Sequence, residues 1–156
     1  MPPPSTPPPQ TTEIFIDGSS LGNPGPAGVG VVMYGPDGRP SATLSKYIGE
    51  TTNNVAEYLA LLYALQEAQR CGLRRAAIKT DSELLAKQCS GEYKVRDGTL
   101  RLLHDLAQHG VKNFERVTIE HVSRTKNREA DRLAKAASAS RRDQSTPGAV
   151  PPPCSC

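Results

Sequence analysis

A chain of 156 residues with a formal net charge of +3 has the length of a single domain and leans only weakly towards a polyanionic partner. Its four cysteines (Cys71, Cys89, Cys154 and Cys156) have neither disulfide-framework nor zinc spacing, which excludes a stapled secreted scaffold. No apolar run is long enough to cross a bilayer and no basic-then-apolar leader opens the chain, so a cytoplasmic protein with no membrane association is expected.

Residues 1–11 are mostly proline with Ser and Thr, and residues 141–156 are again rich in proline; both are expected to be disordered tails, leaving residues 12–140 as the folded domain. Residues 13–17 read as a strand around Ile14, Phe15 and Ile16, and residues 18–26 as a glycine- and proline-rich loop. Val29, Val31 and Val32 mark a second strand over 27–34, the turn residues 35–40 make a hairpin, and 41–48 return as a third strand. Helical spacing follows Thr51 and Thr52, either of which can cap: Val55, Tyr58, Leu59, Leu62, Leu65 and Ala68 form a core-facing stripe that Gly72 ends. A strand over 76–80, helices over 82–90 and 99–109, a strand over 117–122 and a helix over 129–138 complete the order.

Strand–helix alternation in the second half calls for crossovers and parallel pairing onto the first strand. The expected fold is α/β: a mixed five-stranded sheet, three antiparallel strands then two parallel, flanked by helices. Such sheets place ligands at the carboxyl ends of central strands, where Asp17 and Asp81 lie.

Four acidic residues stand in distinctive frames: Asp17 before a glycine-rich turn, Glu57 one turn into the long helix, Asp81 after Thr80, and Asp131 in the last helix. Singly, each has an ordinary reading as turn former, helix cap, dipole partner or exposed charge. If they converge, they can hold two hard divalent cations, the equipment for metal-assisted phosphodiester hydrolysis. Two basic clusters accompany them: Arg124, Lys126, Arg128, Arg132, Lys135, Arg141 and Arg142, and separately Lys94, Arg96 and Arg101. A basic rim beside acidic ligands suits a nucleic-acid backbone, although solvated helix faces give the same pattern.

Over residues 13–137 the chain resembles the type 1 ribonucleases H. The resemblance is carried by Asp17-Gly18-Ser19 with Gly22-Asn23-Pro24-Gly25-Pro26, by Thr51-Thr52-Asn53-Asn54-Val55-Ala56-Glu57, by Thr80-Asp81-Ser82, and by Asn127-Arg128-Glu129-Ala130-Asp131-Arg132-Leu133-Ala134. It implies the ribonuclease H-like fold and an endonuclease that hydrolyses the RNA strand of RNA–DNA hybrids, leaving 5′-phosphate and 3′-hydroxyl ends. Carried over by position, Asp17, Glu57, Asp81 and Asp131 become metal ligands and catalytic residues. The implied cofactor is Mg2+, two ions with substrate bound, with Mn2+ able to substitute. Gly18, Ser19, Asn23, Thr52, Asn53 and Asn54 fall on positions that approach the hybrid, where 2′-hydroxyls in a wide minor groove identify RNA; helix capping is the ordinary alternative for Asn53 and Asn54.

Two departures qualify the match. Many family members have a histidine in the loop before the last helix; here Arg124 takes that place, as in an archaeal-like subgroup, with His121 the alternative by simple counting. Arginine does not shuttle protons near neutrality, so its expected role is electrostatic. Between Ser90 and Leu102 the chain also lacks the basic, tryptophan-bearing protrusion of some relatives. The alternatives are a dual-specificity nuclease that also cuts double-stranded RNA and a non-catalytic hybrid-binding module. A monomer with no obligate protein partner is expected.

Overall fold

Branched apolar residues in the first third of the chain and leucine-rich stripes in the remainder sort into a sheet with helices on both faces. The structure, a computed structural model, describes residues 10–143. Its strands are β1 (Thr12–Ser20), β2 (Gly25–Tyr34), β3 (Pro40–Thr51), β4 (Arg75–Thr80) and β5 (Arg116–His121). Its helices are α1 (Asn53–Arg70), α2 (Glu83–Ser90), α3 (Gly98–Val111) and α4 (Arg128–Ser140), with a 3-10 turn at Arg124–Lys126 before α4.

The sheet order is β3-β2-β1-β4-β5. β2 pairs antiparallel with β1 and β3, whereas β4 pairs parallel with β1 and β5. The expected mixed five-stranded sheet is therefore present, with β1 at its centre. No helix among the described residues is long and apolar enough to cross a membrane.

Alternation along β1 divides its side chains between two layers. Ile14 and Ile16 join Val29, Val31, Met33 and Ile78 beneath α1. Phe15 lies on the other face with Val32, Ala130 and Leu133 of the α4 layer. Each fully buried Ile or Leu contributes about 1.5–3 kcal/mol, so α1 is anchored along its length by Leu61 and Leu65. The approach of α4 is close because β2 offers no side chain at Gly30: a Cβ there would stand 2.1 Å from the Ala130 carbonyl oxygen.

The first two strands run longer than the sequence suggests. Ser19 pairs with Gly28 and Ser20 with Ala27, so the expected loop over 18–26 shrinks to residues 21–24. Turn-forming residues extend the ladder here because β2 supplies partners that local propensity does not register. The tails expected at 1–11 and 141–156 lie outside the described residues apart from 10, 11 and 141–143. Of those, Asp143 is fastened to the edge strand: its Oδ1 accepts from the Tyr47 N–H at 2.9 Å, and Lys46 pairs with its Oδ2 at 3.3 Å.

Candidate active site

Ile16 stands opposite Thr80 in the parallel β1–β4 ladder, so the residues that follow, Asp17 and Asp81, are neighbours at the carboxyl ends of adjacent strands. Thr80 is fully buried and its Oγ1 accepts from the Ser82 N–H at 3.1 Å. Ser82 in turn caps α2, taking the Leu85 N–H on its Oγ at 3.1 Å. Asp81 is thereby relieved of the capping role that its position before a helix suggests.

Glu57 enters from α1. Thr52 caps that helix by accepting from the Val55 N–H at 3.2 Å, so the cap falls on Thr52 rather than on Asn53 or Asn54. The first turn presses onto β1 at Gly18, where a Cβ would lie 2.3 Å from the Ala56 carbonyl carbon and 2.4 Å from the Glu57 nitrogen. Only glycine allows that approach. A Gly18 backbone N–H bonds the Glu57 carboxylate.

Asp17, Glu57 and Asp81 each present a carboxylate oxygen within 4.8 Å of the other two. Asp17 and Glu57 are 4% and 5% exposed, and Glu57 Oε2 is buried with no hydrogen-bond partner. A buried acceptor left unsatisfied beside two further carboxylates is what a hard divalent cation would complete. The Asp17 carboxyl is pushed far above the usual range, first by burial, then by the charges of Glu57 and Asp81, with side-chain contacts to Asp131 and Glu57 adding to the rise. Burial and Asp81 likewise raise Glu57, opposed by bonds from Asp17 and Gly18 and by the charge of Arg124. Both shifts favour the protonated forms of Asp17 and Glu57.

Asp131, on the first turn of α4, touches the Asp17 side chain but stays outside the group of three; its Oδ2 lies 3.1 Å from Lys135 Nζ. Its placement depends on Asn127, only 1% exposed. The Asn127 side chain forms no helix cap and instead donates from Nδ2 to the Ile16 carbonyl at 2.8 Å, while its own carbonyl accepts the Asp131 N–H at 3.0 Å. Asn127 was visible in the sequence within the motif of the last helix, but nothing local announced that its side chain would reach across the fold.

Arg124 is exposed in the 3-10 turn and close enough to favour the charged form of Glu57. His121 ends β5 on the alternation of Val117 and Ile119, which pack with the α1 layer, whereas Asp17 follows Phe15 onto the α4 face. Of the remaining residues, Asn23 Oδ1 accepts from the Asn53 N–H at 3.0 Å, which joins the turn after β1 to the start of α1. Asn53 and Asn54 are exposed there, Thr52 is half-buried below them, and Ser19 continues β1 past Gly18. The basic residues of both clusters are exposed, with Arg132 paired to Glu129 at 3.0 Å.

The chain is similar in sequence and fold to known proteins. The family model described as "Reverse transcriptase-like" matches residues 15–137. Bifunctional protein Rv2228c of Mycobacterium tuberculosis is 44% identical over 122 residues, covering 78% of this chain and 34% of that protein. Ribonuclease HI of Halobacterium salinarum is 41% identical over 120 residues, 77% of this chain and 60% of that protein. The chain thus spans less than two thirds of these relatives' length. Among solved structures, RNase H1 of the same archaeon superposes with a TM-score of 0.81 at 38% identity, covering 84% of this chain and 99% of that one. LC11-RNase H1 in complex with an RNA/DNA hybrid gives 0.80 at 38% identity, with the same coverage of 84% and 99%. With the motifs of all four acidic residues inside the matched span, the chain belongs to the type 1 ribonuclease H family.

Proposed function

We propose that this chain is a metal-dependent endoribonuclease that hydrolyses the RNA strand of RNA–DNA hybrids, leaving 5′-phosphate and 3′-hydroxyl ends. The observation that carries the reading is the convergence of Asp17, Glu57 and Asp81 oxygens within 4.8 Å, with Glu57 Oε2 buried and unpartnered, in a chain of this family. Asp17, Glu57 and Asp81 would hold Mg2+, and Asp131, adjoining Asp17, would complete the site for a second ion once substrate is bound; Mn2+ would substitute. Bound there, the ions would activate water and stabilise the leaving 3′-oxygen.

The chain's own residues do the rest. Burial of Asp17 and Glu57 keeps bulk water from competing for their oxygens. Gly18 brings the backbone of β1 and the first turn of α1 together and Asn23 bonds Asn53, which supports a substrate surface made by Ser19, Asn23, Thr52, Asn53 and Asn54. Asparagine amides and a threonine hydroxyl suit the 2′-hydroxyls and base edges of a wide minor groove. Arg124 contributes electrostatically, its positive charge favouring the ionised form of Glu57. Exposed Lys94, Arg96 and Arg101 supply phosphate contacts without sequence preference. We further propose that the protein works in the cytoplasm as a monomer; light scattering would test the monomer, and cell fractionation the location.

The experiment is cleavage of an end-labelled hybrid with Mg2+, Mn2+ or EDTA, beside single-stranded RNA, double-stranded RNA and double-stranded DNA, with Asp17→Asn as control. Metal-dependent cutting of the hybrid's RNA strand, lost in the variant, is expected. Cutting of double-stranded RNA as well would widen the substrate class to both duplexes. Hybrid binding with no cutting under either metal would replace the enzyme with a binding module.

A further inference from the structure

The helices that deliver Glu57 and follow Asp81 are joined behind the carboxylates by one buried side chain. Tyr58, the residue after Glu57 on α1, is 1% exposed and donates its hydroxyl to Gln88 Oε1 at 2.6 Å. Gln88 lies on the last turn of α2 and is itself 6% exposed. The other end of its amide is also engaged: Nε2 donates to the Lys94 carbonyl at 3.4 Å, in the segment between α2 and α3. The Gln88 main-chain carbonyl takes a bond from His104 Nε2 of α3 at 3.2 Å, and the His104 ring meets Tyr58 edge-on with centroids 6.3 Å apart. One glutamine therefore ties α1, α2, α3 and the Lys94 segment together.

We infer that Gln88, acting through Tyr58, is a positioning residue that fixes the Glu57 and Asp81 carboxylates at the spacing a divalent cation needs. The proposal rests on the metal-site reading above. At its start α1 is tethered by the Asn53–Asn23 bond and by the Gly18 N–H on Glu57, and near its end by Asn113 on Gln69; between them the helix rests on apolar contacts, which are non-directional and resist a roll about its axis less well. A short, buried hydrogen bond one residue from Glu57 is directional and adds a constraint from the α2 side. Asp81 is fixed from the other side by the β1–β4 ladder and by Ser82, the cap of α2. The bond thus closes a ring running from Glu57 through Tyr58, Gln88 and α2 to Asp81. Groups that orient metal ligands from behind commonly govern metal affinity by roughly 10–100-fold.

The test uses the full chain and Mn2+ alone, titrated by calorimetry without nucleic acid, alongside thermal unfolding and hybrid cleavage. Gln88→Leu and the milder Tyr58→Phe are each expected to weaken Mn2+ binding roughly tenfold. The double variant should be no weaker than the worse single one, because both break the same bond. Cleavage should lose kcat with little change in KM for the hybrid. A Leu65→Ala chain, destabilised to a comparable Tm at a core position of α1, should bind Mn2+ as the wild type does. If Gln88→Leu and Tyr58→Phe lower Tm like that control and leave Mn2+ affinity unchanged, the bond is only structural and the proposal is overturned. Mn2+ binding by a wild-type chain that cuts no hybrid would overturn the nuclease reading while the variants still decide the role of Gln88. A wild-type chain that binds no Mn2+ would overturn the metal site and the proposal together.

Discussion

The side-chain amide of Asn127 spans 2.8 Å to the main-chain carbonyl of Ile16, tying the start of α4 to the central strand one residue before Asp17. Because the Asn127 carbonyl also receives the Asp131 N–H, this residue sets two of the four acidic groups relative to each other. Asn127→Ala leaves the buried Ile16 carbonyl without that donor, a cost of about 1–3 kcal/mol. Urea unfolding should show that loss, and kcat should fall further than stability alone explains.

Asp17→Asn is expected to abolish cleavage and to stabilise the metal-free protein by about 0.5–2 kcal/mol. In the native fold both Asp17 and Glu57 hold protons more tightly than in the unfolded chain, where values near 3.9 and 4.3 apply. Above about pH 4 the native state therefore carries more protons than the unfolded state, and stability falls as pH rises through neutrality. Tm of the metal-free protein should drop from about pH 5 to about pH 8, less so in Asp17→Asn. Adding Mg2+ should restore it in the wild type by mass action.

Arg124 lies outside the carboxylate cluster but favours the charge on Glu57. Arg124→Ala is expected to lower kcat about tenfold, or ~1.4 kcal/mol of transition-state stabilisation, with Arg124→Lys recovering part of it. Turnover and product release unchanged in single-turnover and steady-state assays would remove Arg124 from the mechanism. His121→Ala should leave both untouched.

Gly30→Ala places a methyl group 2.1 Å from the Ala130 carbonyl oxygen, so α4 must move. Overpacking of this kind costs about 1–3 kcal/mol. Since α4 carries Asp131, the kcat of Gly30→Ala should fall more than its KM rises. Retained kcat at reduced Tm would show that the site tolerates the shift.

Asn23→Ala withdraws the acceptor from the Asn53 N–H, an exposed bond worth about 0.5–1.5 kcal/mol. Its main consequence is expected in KM for the hybrid if the turn proposed to meet substrate is no longer fastened to α1. An unchanged KM would confine Asn23 to a structural role.

The sequence by itself determined the order of elements, the mixed sheet, a helix start at Thr51 or Thr52 and the identity of the acidic residues; the structure put the cap on Thr52. The elements follow from short-range signals, apolar alternation and a helical stripe that Gly72 ends; the four acidic residues follow from motifs shared with the family, since each alone reads as an ordinary turn former, cap or exposed charge. Tertiary structure alone decided how those residues meet. The Ile16–Thr80 register brought Asp17 beside Asp81, and the bare surface at Gly18 admitted the first turn of α1 with Glu57. Burial then raised the proton affinity of Asp17 and Glu57, a shift that no local motif encodes, because desolvation depends on what the whole chain packs around a group. The strands' extra length at Ser19 and Ser20, the cross-fold reach of Asn127 and the Tyr58–Gln88 bond share that origin. Each joins residues far apart in the chain, where pairing is set by packing geometry rather than by the propensities of neighbouring residues.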